Sequence, residues 1–176
     1  MSIACARATY LIQSLSVCGK ICPIGWTMEG CKCFKVFKKK ETHSDAEARC
    51  IKMGGNLASV TTQEIQDRLL CAEEKTDFWI GLNDVDLEGT YVWPNGEEYG
   101  SYTNWGTHHH TPNNRLQHVK VDVSLRKWKN IAGDKRLFYA CELDLSILVN
   151  KTIFFTITMT KYCRLELLLQ NKHQLK

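Results

Sequence analysis

Nine cysteines in 176 residues are the densest reactive chemistry in this chain. Thiols at that density belong in an oxidising compartment, where they pair as disulfides, and their spacings do not make the two CxxC pairs of a compact zinc site. Imidazole is the second candidate: His108-His109-His110, with His118 a short way on, could offer nitrogens to zinc. Adjacent histidines on a loop seldom all aim at one ion, and no capped helix fixes an i, i+4 pair, so an exposed polar loop is expected there. The third candidate is positive charge. Arg115, Lys120, Arg126, Lys127 and Lys129 crowd a segment in which Asp122 is the only acid between Tyr99 and Gly133. Such a cluster concentrates anions and speeds their association in a salt-dependent way. Lysines on a strand edge also discourage sheet-to-sheet pairing. Catalysis is not indicated, because no nucleophile stands beside a His and an acid, and Gly54-Gly55 closes a helix rather than opening one over a phosphate.

The elements that would position these residues are legible. Cys33 to Phe37 mixes aromatic and β-branched residues as a strand does, and Lys38-Lys39-Lys40 ends it. Ser44 with Glu47 forms a capping box for a first helix carrying Cys50, and Thr61 with Glu64 forms another before Ile65, Leu69 and Leu70. Phe78 to Leu82 reads as a buried strand and Tyr91-Val92-Trp93 as another, with Pro94-Asn95-Gly96 as turn chemistry. Val119, Val121 and Val123 alternate with Lys120 and Asp122 as in a half-buried strand, and Leu137 to Cys141 supplies the last one. Helices early and strands late predict an α+β domain.

Several landmarks agree in order: Cys22-Pro23-Ile24-Gly25-Trp26, Cys33, Cys50 on a capped helix, Trp79-Ile80-Gly81-Leu82, Gly89, Trp93, Asn104-Trp105, Trp128 and Tyr139-Ala140-Cys141-Glu142. Over residues 22–144 the chain resembles a C-type lectin domain. The resemblance implies an α+β C-type lectin-like fold, two helices packed on antiparallel strands, with a long irregular loop region from about Asn95 to His118. It implies disulfides from Cys22 to Cys33 and from Cys50 to Cys141, with Cys31 left as a competitor for Cys22. A further loop disulfide of such domains would fall near His118 and Gly133, where both cysteines are missing together. Cys5, Cys18, Cys31, Cys71 and Cys163 remain, an odd set that leaves a free thiol or a disulfide-linked oligomer.

Domains similar to this one usually hold sugar through calcium bound by a Glu-Pro-Asn or Gln-Pro-Asp loop and a later Trp-Asn-Asp. Here the corresponding residues are Thr111-Pro112-Asn113 and Trp128-Lys129-Asn130, so carboxylates are lost and an ammonium is gained. Calcium needs several oxygens with carboxylate charge, and none is expected at this position. Pro112 matches a proline that is usually cis in such domains. Asp84 and Glu88 match acids that many relatives use at an auxiliary calcium site, with Asn113 or Asn114 able to join; solvated turn acids are the alternative. No other cofactor is expected. Trp79, Trp93, Trp105 and Trp128 are expected in the core.

The resemblance therefore implies an extracellular recognition module, secreted or at the cell surface, whose partner is a glycan or a protein, acidic in character. Its ligand residues would be Thr111, Pro112, Asn113, Arg115, Lys127, Lys129 and Asn130. The alternative is a secreted structural or matrix component assembled through disulfides. A net charge of +4, with basic residues spread over both ends, does not indicate nucleic acid. Residues 1–21 read as a degenerate signal or N-terminal extension, with Arg7 and Gln13 interrupting the apolar run. Residues 145–176 form an atypical tail carrying the sequon Asn150-Lys151-Thr152, and Asn150 and Lys151 interrupt its apolar run too early for a membrane span.

Overall fold

The computed structural model describes residues 16–18, 21–73, 75–107, 113 and 115–148. His108, His109, His110, Thr111, Pro112, Asn114, Cys5, Cys163 and the sequon lie outside the described residues, as do most of the two terminal extensions. The chain divides into two units. One spans Lys20–Leu145. In the other, strand β1 (Ser16–Cys18) pairs antiparallel with β9 (Ser146–Leu148).

The larger unit carries β2 (Thr27–Glu29), β3 (Lys32–Glu41), helix α1 (His43–Lys52), β4 (Asn56–Leu57), helix α2 (Gln63–Ala72), β5 (Phe78–Asn83), β6 (His118–Asp122), β7 (Lys127–Ile131) and β8 (Leu137–Asp144). The sheet order is β2-β3-β8-β5-β6-β7, with β4 also paired to β8. All of these pairs are antiparallel except β5 with β8.

Both helices start on threonine caps, one or two residues away from the expected boxes. Thr42 accepts from Asp45 N and Thr62 from Ile65 N, each at 3.3 Å. A hydroxyl three residues ahead of an orphan amide is what a cap requires, and neighbouring Ser44 and Thr61 offered the same chemistry out of phase. Helix α1 is capped by Met53 and followed by Gly54, whose φ of 85° is left-handed. Tyr91-Val92-Trp93 forms only an isolated bridge from Val92 to Asn83.

Strand β5 is buried from Phe78 through Leu82 because it lies between two apolar clusters. Phe78, Ile80 and Leu82 join Phe34, Leu69, Val121 and Trp128 on one side, while Trp79 joins Ala46, Cys50, Leu57 and Tyr139 on the other. A strand covered on both faces reads as a continuous apolar run. Gly81 is required here, since a Cβ would sit 2.6 Å from the Pro94 ring and 2.8 Å from the Leu57 carbonyl oxygen.

Cys50 is bonded to Cys141, tying α1 to β8, and Cys22 is bonded to Cys33, so Cys31 is not the partner of Cys22. Cys18 and Cys31 are also in the disulfide state, whereas Cys71 on α2 is exposed and free. Among the described residues no helix is long and apolar enough to cross a membrane.

Candidate functional site

The β6–β7 hairpin sets the basic residues in place. Its register opposes Val119 to Asn130, Lys120 to Lys129, Val121 to Trp128 and Asp122 to Lys127. Side chains alternate along a strand, so Val119, Val121, Trp128 and Asn130 turn inward and Lys120, Lys127 and Lys129 share the other face. Arg126, at φ 57°, closes the turn between the strands.

Not every cation on this face is available. Lys120 is paired with Asp77 and with Asp122, and Arg126 with Asp67 at 3.3 Å. Lys127 instead donates to the Asn104 side-chain oxygen at 2.6 Å, and Asn104 in turn donates to the Arg126 carbonyl at 2.8 Å. Asn104 itself is fixed because Trp128 N donates to its carbonyl and Gly106 N to the Trp128 carbonyl, so residues 104–106 run beside β7. Among the described residues no carboxylate pairs with Lys127, Lys129 or Arg115. Beside Lys127 opens a groove of about 460 Å³ lined by Trp105, Gly106, Thr107, Leu125 and Lys127. Trp105 thus differs from Trp79, Trp93 and Trp128, which are buried.

The other expected ligand residues scatter. Asn113 is exposed and its side-chain oxygen accepts from Arg115 N at 3.0 Å, making a small turn. Asn130 points inward, on the side of the Tyr91 hydroxyl. Lys129 and Asn130 therefore face opposite sides of β7, and neither brings a carboxylate. These residues do not fit calcium.

The acids behind the edge behave differently. Asp84 is 1% exposed; one of its oxygens accepts from Gly89 N at 2.9 Å and the other, Oδ1, has no hydrogen-bond partner. Both Glu88 carboxylate oxygens are likewise shielded from solvent without a partner. The Tyr91 hydroxyl is pushed up to about 12 by burial and by the nearby Asp84 and Glu88 charges. Buried carboxylate oxygens left without donors carry a desolvation cost that a hard cation would offset. Asp84 and Glu88 thus fit an oxygen-liganded cation, although among the described residues no group of three or more His, Cys, Asp or Glu forms a ligand set.

His118 and Gly133, the positions of the missing loop disulfide, do face each other: a Cβ on Gly133 would lie 2.7 Å from His118 Nδ1. The imidazole occupies that space, its centroid 4.1 Å from that of His43 with the rings tilted by 49°. Sequence reasoning did not find His43, Asn104 or the groove. Asn104-Trp105 was visible as a landmark, but nothing in its spacing signals a hydrogen bond to Lys127.

The family model described as "Lectin C-type domain" matches residues 39–143, and the chain belongs to that family. It is similar to the mouse low affinity immunoglobulin epsilon Fc receptor, 37% identical over 95 residues, covering 54% of this chain and 28% of the receptor. Galactose-specific lectin nattectin of Thalassophryne nattereri is 36% identical over 89 residues, covering 48% of this chain and 55% of the lectin. Among solved structures, a calcium-independent type II antifreeze protein superposes with a TM-score of 0.64 at 25% identity, covering 72% of this chain and 96% of that one. The chain spans about half the length or less of the curated relatives it matches. It is a C-type lectin-like recognition domain.

Proposed function

We propose that the chain is an extracellular recognition domain that binds an acidic glycan, or an acidic patch on a protein, along β7 without calcium at the family's sugar position. The observation that carries this reading is the pair Lys127 and Lys129. They share one face of β7 and have no carboxylate partner among the described residues, and Lys127 lines the Trp105 groove. Exposed ammonium groups that are not neutralised locally attract anions, and the attraction falls as salt screens it. Lys129 stands where the family places a calcium ligand, so the ammonium supplies positive charge in place of the ion. The similarity to a calcium-independent type II antifreeze protein supports a domain of this fold that works without calcium.

Heparin chromatography tests the reading. The wild type is expected to elute at higher salt than a Lys127→Ala, Lys129→Ala double variant, with chelator making no difference; equal elution at low salt removes the anionic-ligand reading. A separate structural cation would be held by Asp84 and Glu88, supplying the positive charge that their unpartnered oxygens lack. Millimolar calcium is then expected to raise the melting temperature of the wild type and leave an Asp84→Asn, Glu88→Gln variant unmoved. No calcium response in the wild type refutes that site.

The second reading, assembly through disulfides, rests on the exposed free thiol of Cys71. Multimers on non-reducing electrophoresis that a Cys71→Ser variant loses would favour it; a monomeric wild type rules out Cys71 as the link.

A further inference from the structure

His43 is the first residue of α1 and only 4% exposed. Its Nε2 is buried with no hydrogen-bond partner, and its backbone N donates to the Gly133 carbonyl at 2.9 Å. The imidazole of His118, the first residue of β6, lies 4.1 Å away between centroids at a tilt of 49°. Trp79 closes the cluster, its ring 5.4 Å from His43 and 6.4 Å from His118. Gly133 abuts His118 so closely that a Cβ would fall 2.9 Å from Cε1. The pair is therefore the point where the start of α1, β5, the start of β6 and the turn after β7 meet.

We propose that the His43–His118 ring pair is an acid-sensitive latch, holding the β6–β7 edge against α1 and β5 while both rings are neutral and releasing it when they take up protons. Two cations at that spacing repel, and His43 would carry its charge at the positive end of the α1 dipole. Burial and the neighbouring imidazole push His43 down to about 3, and burial also lowers His118, opposed by Asp84. Of the other charged groups on the surrounding elements, Glu41 is paired with Lys39, Arg49 and Arg136, Lys120 with Asp77 and Asp122, and Asp134 with Lys135, while half-buried Glu47 on α1 and Lys129 on β7 have no ion pair among the described residues. Asp45, in the first turn of α1, is exposed.

The sign follows from linkage. A depressed folded-state value means that the stabilisation is fully present above the unfolded histidine value of 6.5 and is lost as pH falls towards 3. For His43 alone, the unfolded-to-folded ratio rises roughly 25-fold between pH 7 and pH 5.

The test is amide hydrogen exchange of the wild type at pH 7 and pH 5, corrected for intrinsic rates, with a His118→Phe variant and a histidine proton titration by NMR. Expected are a loss of protection at 118–122 and 127–131 that exceeds the loss at 27–41, suppression of the difference in His118→Phe, and a His43 signal that does not titrate above pH 5. Equal losses everywhere, an undiminished effect in the variant, or a His43 that titrates near 6.5 in the folded protein overturns the latch. If His118→Phe does not fold, the wild-type exchange pattern and titration decide the matter. That the latch governs ligand release rests on the binding edge proposed above. Failure to bind heparin at neutral pH counts against that edge alone, because exchange reads the latch with no ligand present.

Discussion

Removing the Glu142 carboxylate should unfasten the turn that precedes the long loop region. Glu142, on β8, is 1% exposed. One of its oxygens accepts from Ser59 N at 3.0 Å, the other from Asn95 Nδ2 at 2.6 Å, and the Lys32 ammonium stands 3.8 Å away. Three segments distant in sequence are thereby joined: β8, the chain after β4, and the Trp93–Gly96 turn. In Glu142→Ala the fully buried Ser59 amide is orphaned, at about 1 to 3 kcal/mol, and a charge-assisted bond to Asn95 is lost at about 1.5 to 3 kcal/mol. Because these costs overlap, a net loss of about 3 kcal/mol is expected, within the range for breaking a buried pair from one side. Burial raises the Glu142 pKa while Lys32, Ser59 and Asn95 oppose the rise. Stability is therefore expected to be greater below the ordinary value of 4.5 and to decline as pH rises through the raised folded value, so the loss read at pH 7 is what the bonds to Ser59 and Asn95 retain after that decline. Glu142→Gln removes that buried charge but sets an amide donor against Ser59 or Asn95, so its loss should be smaller, about 1 kcal/mol. Urea unfolding at pH 7 with disulfides intact measures all of this. If Glu142→Ala costs no more than Glu97→Ala, whose partner Lys32 keeps Glu142, the carboxylate does not hold the turn and the reasoning fails.

Opening the Cys50–Cys141 bridge as a Cys50→Ala, Cys141→Ala variant releases a loop of sequence separation 91. Loop entropy of that size is worth about 4 to 5 kcal/mol, readable by denaturant unfolding, and a loss under about 2 kcal/mol would contradict its role as the main bridge. Gly81→Ala drives a methyl into the Pro94 ring and the Leu57 carbonyl, so a loss of about 1 to 3 kcal/mol is expected in the same assay, and a neutral result would mean that this contact relaxes freely. Asn104→Ala frees the Lys127 ammonium from its one observed bond; heparin elution should shift to lower salt while the melting temperature changes by only a few degrees, and an unchanged elution position would separate Lys127 from the ligand.

The two helices, the buried run at Phe78–Leu82, the half-buried strand through Val119 and Val121, and the family itself were all legible in the sequence. Each depends on short-range information: cap chemistry within one turn, alternation along a strand, or landmarks spaced along the chain. The errors were local too. The caps at Thr42 and Thr62 lay one or two residues from equally suitable hydroxyls, and Tyr91-Val92-Trp93 had strand residues but no partner strand to pair with beyond Asn83. Strand β7 escaped notice because only Trp128 and Ile131 interrupt a run of polar side chains, and its pairing comes from β6 rather than from its own pattern. What decided the candidate site was long-range. Lys127 is oriented by Asn104, Asn130 is turned towards Tyr91 and away from Lys129, Asp84 is buried with one oxygen unpartnered, and His43 meets His118 across four elements. Residue type and local spacing say which groups can ionise or donate. Only closure of the sheet, through register and burial, determines which of those groups lose water and which neighbour each one gains.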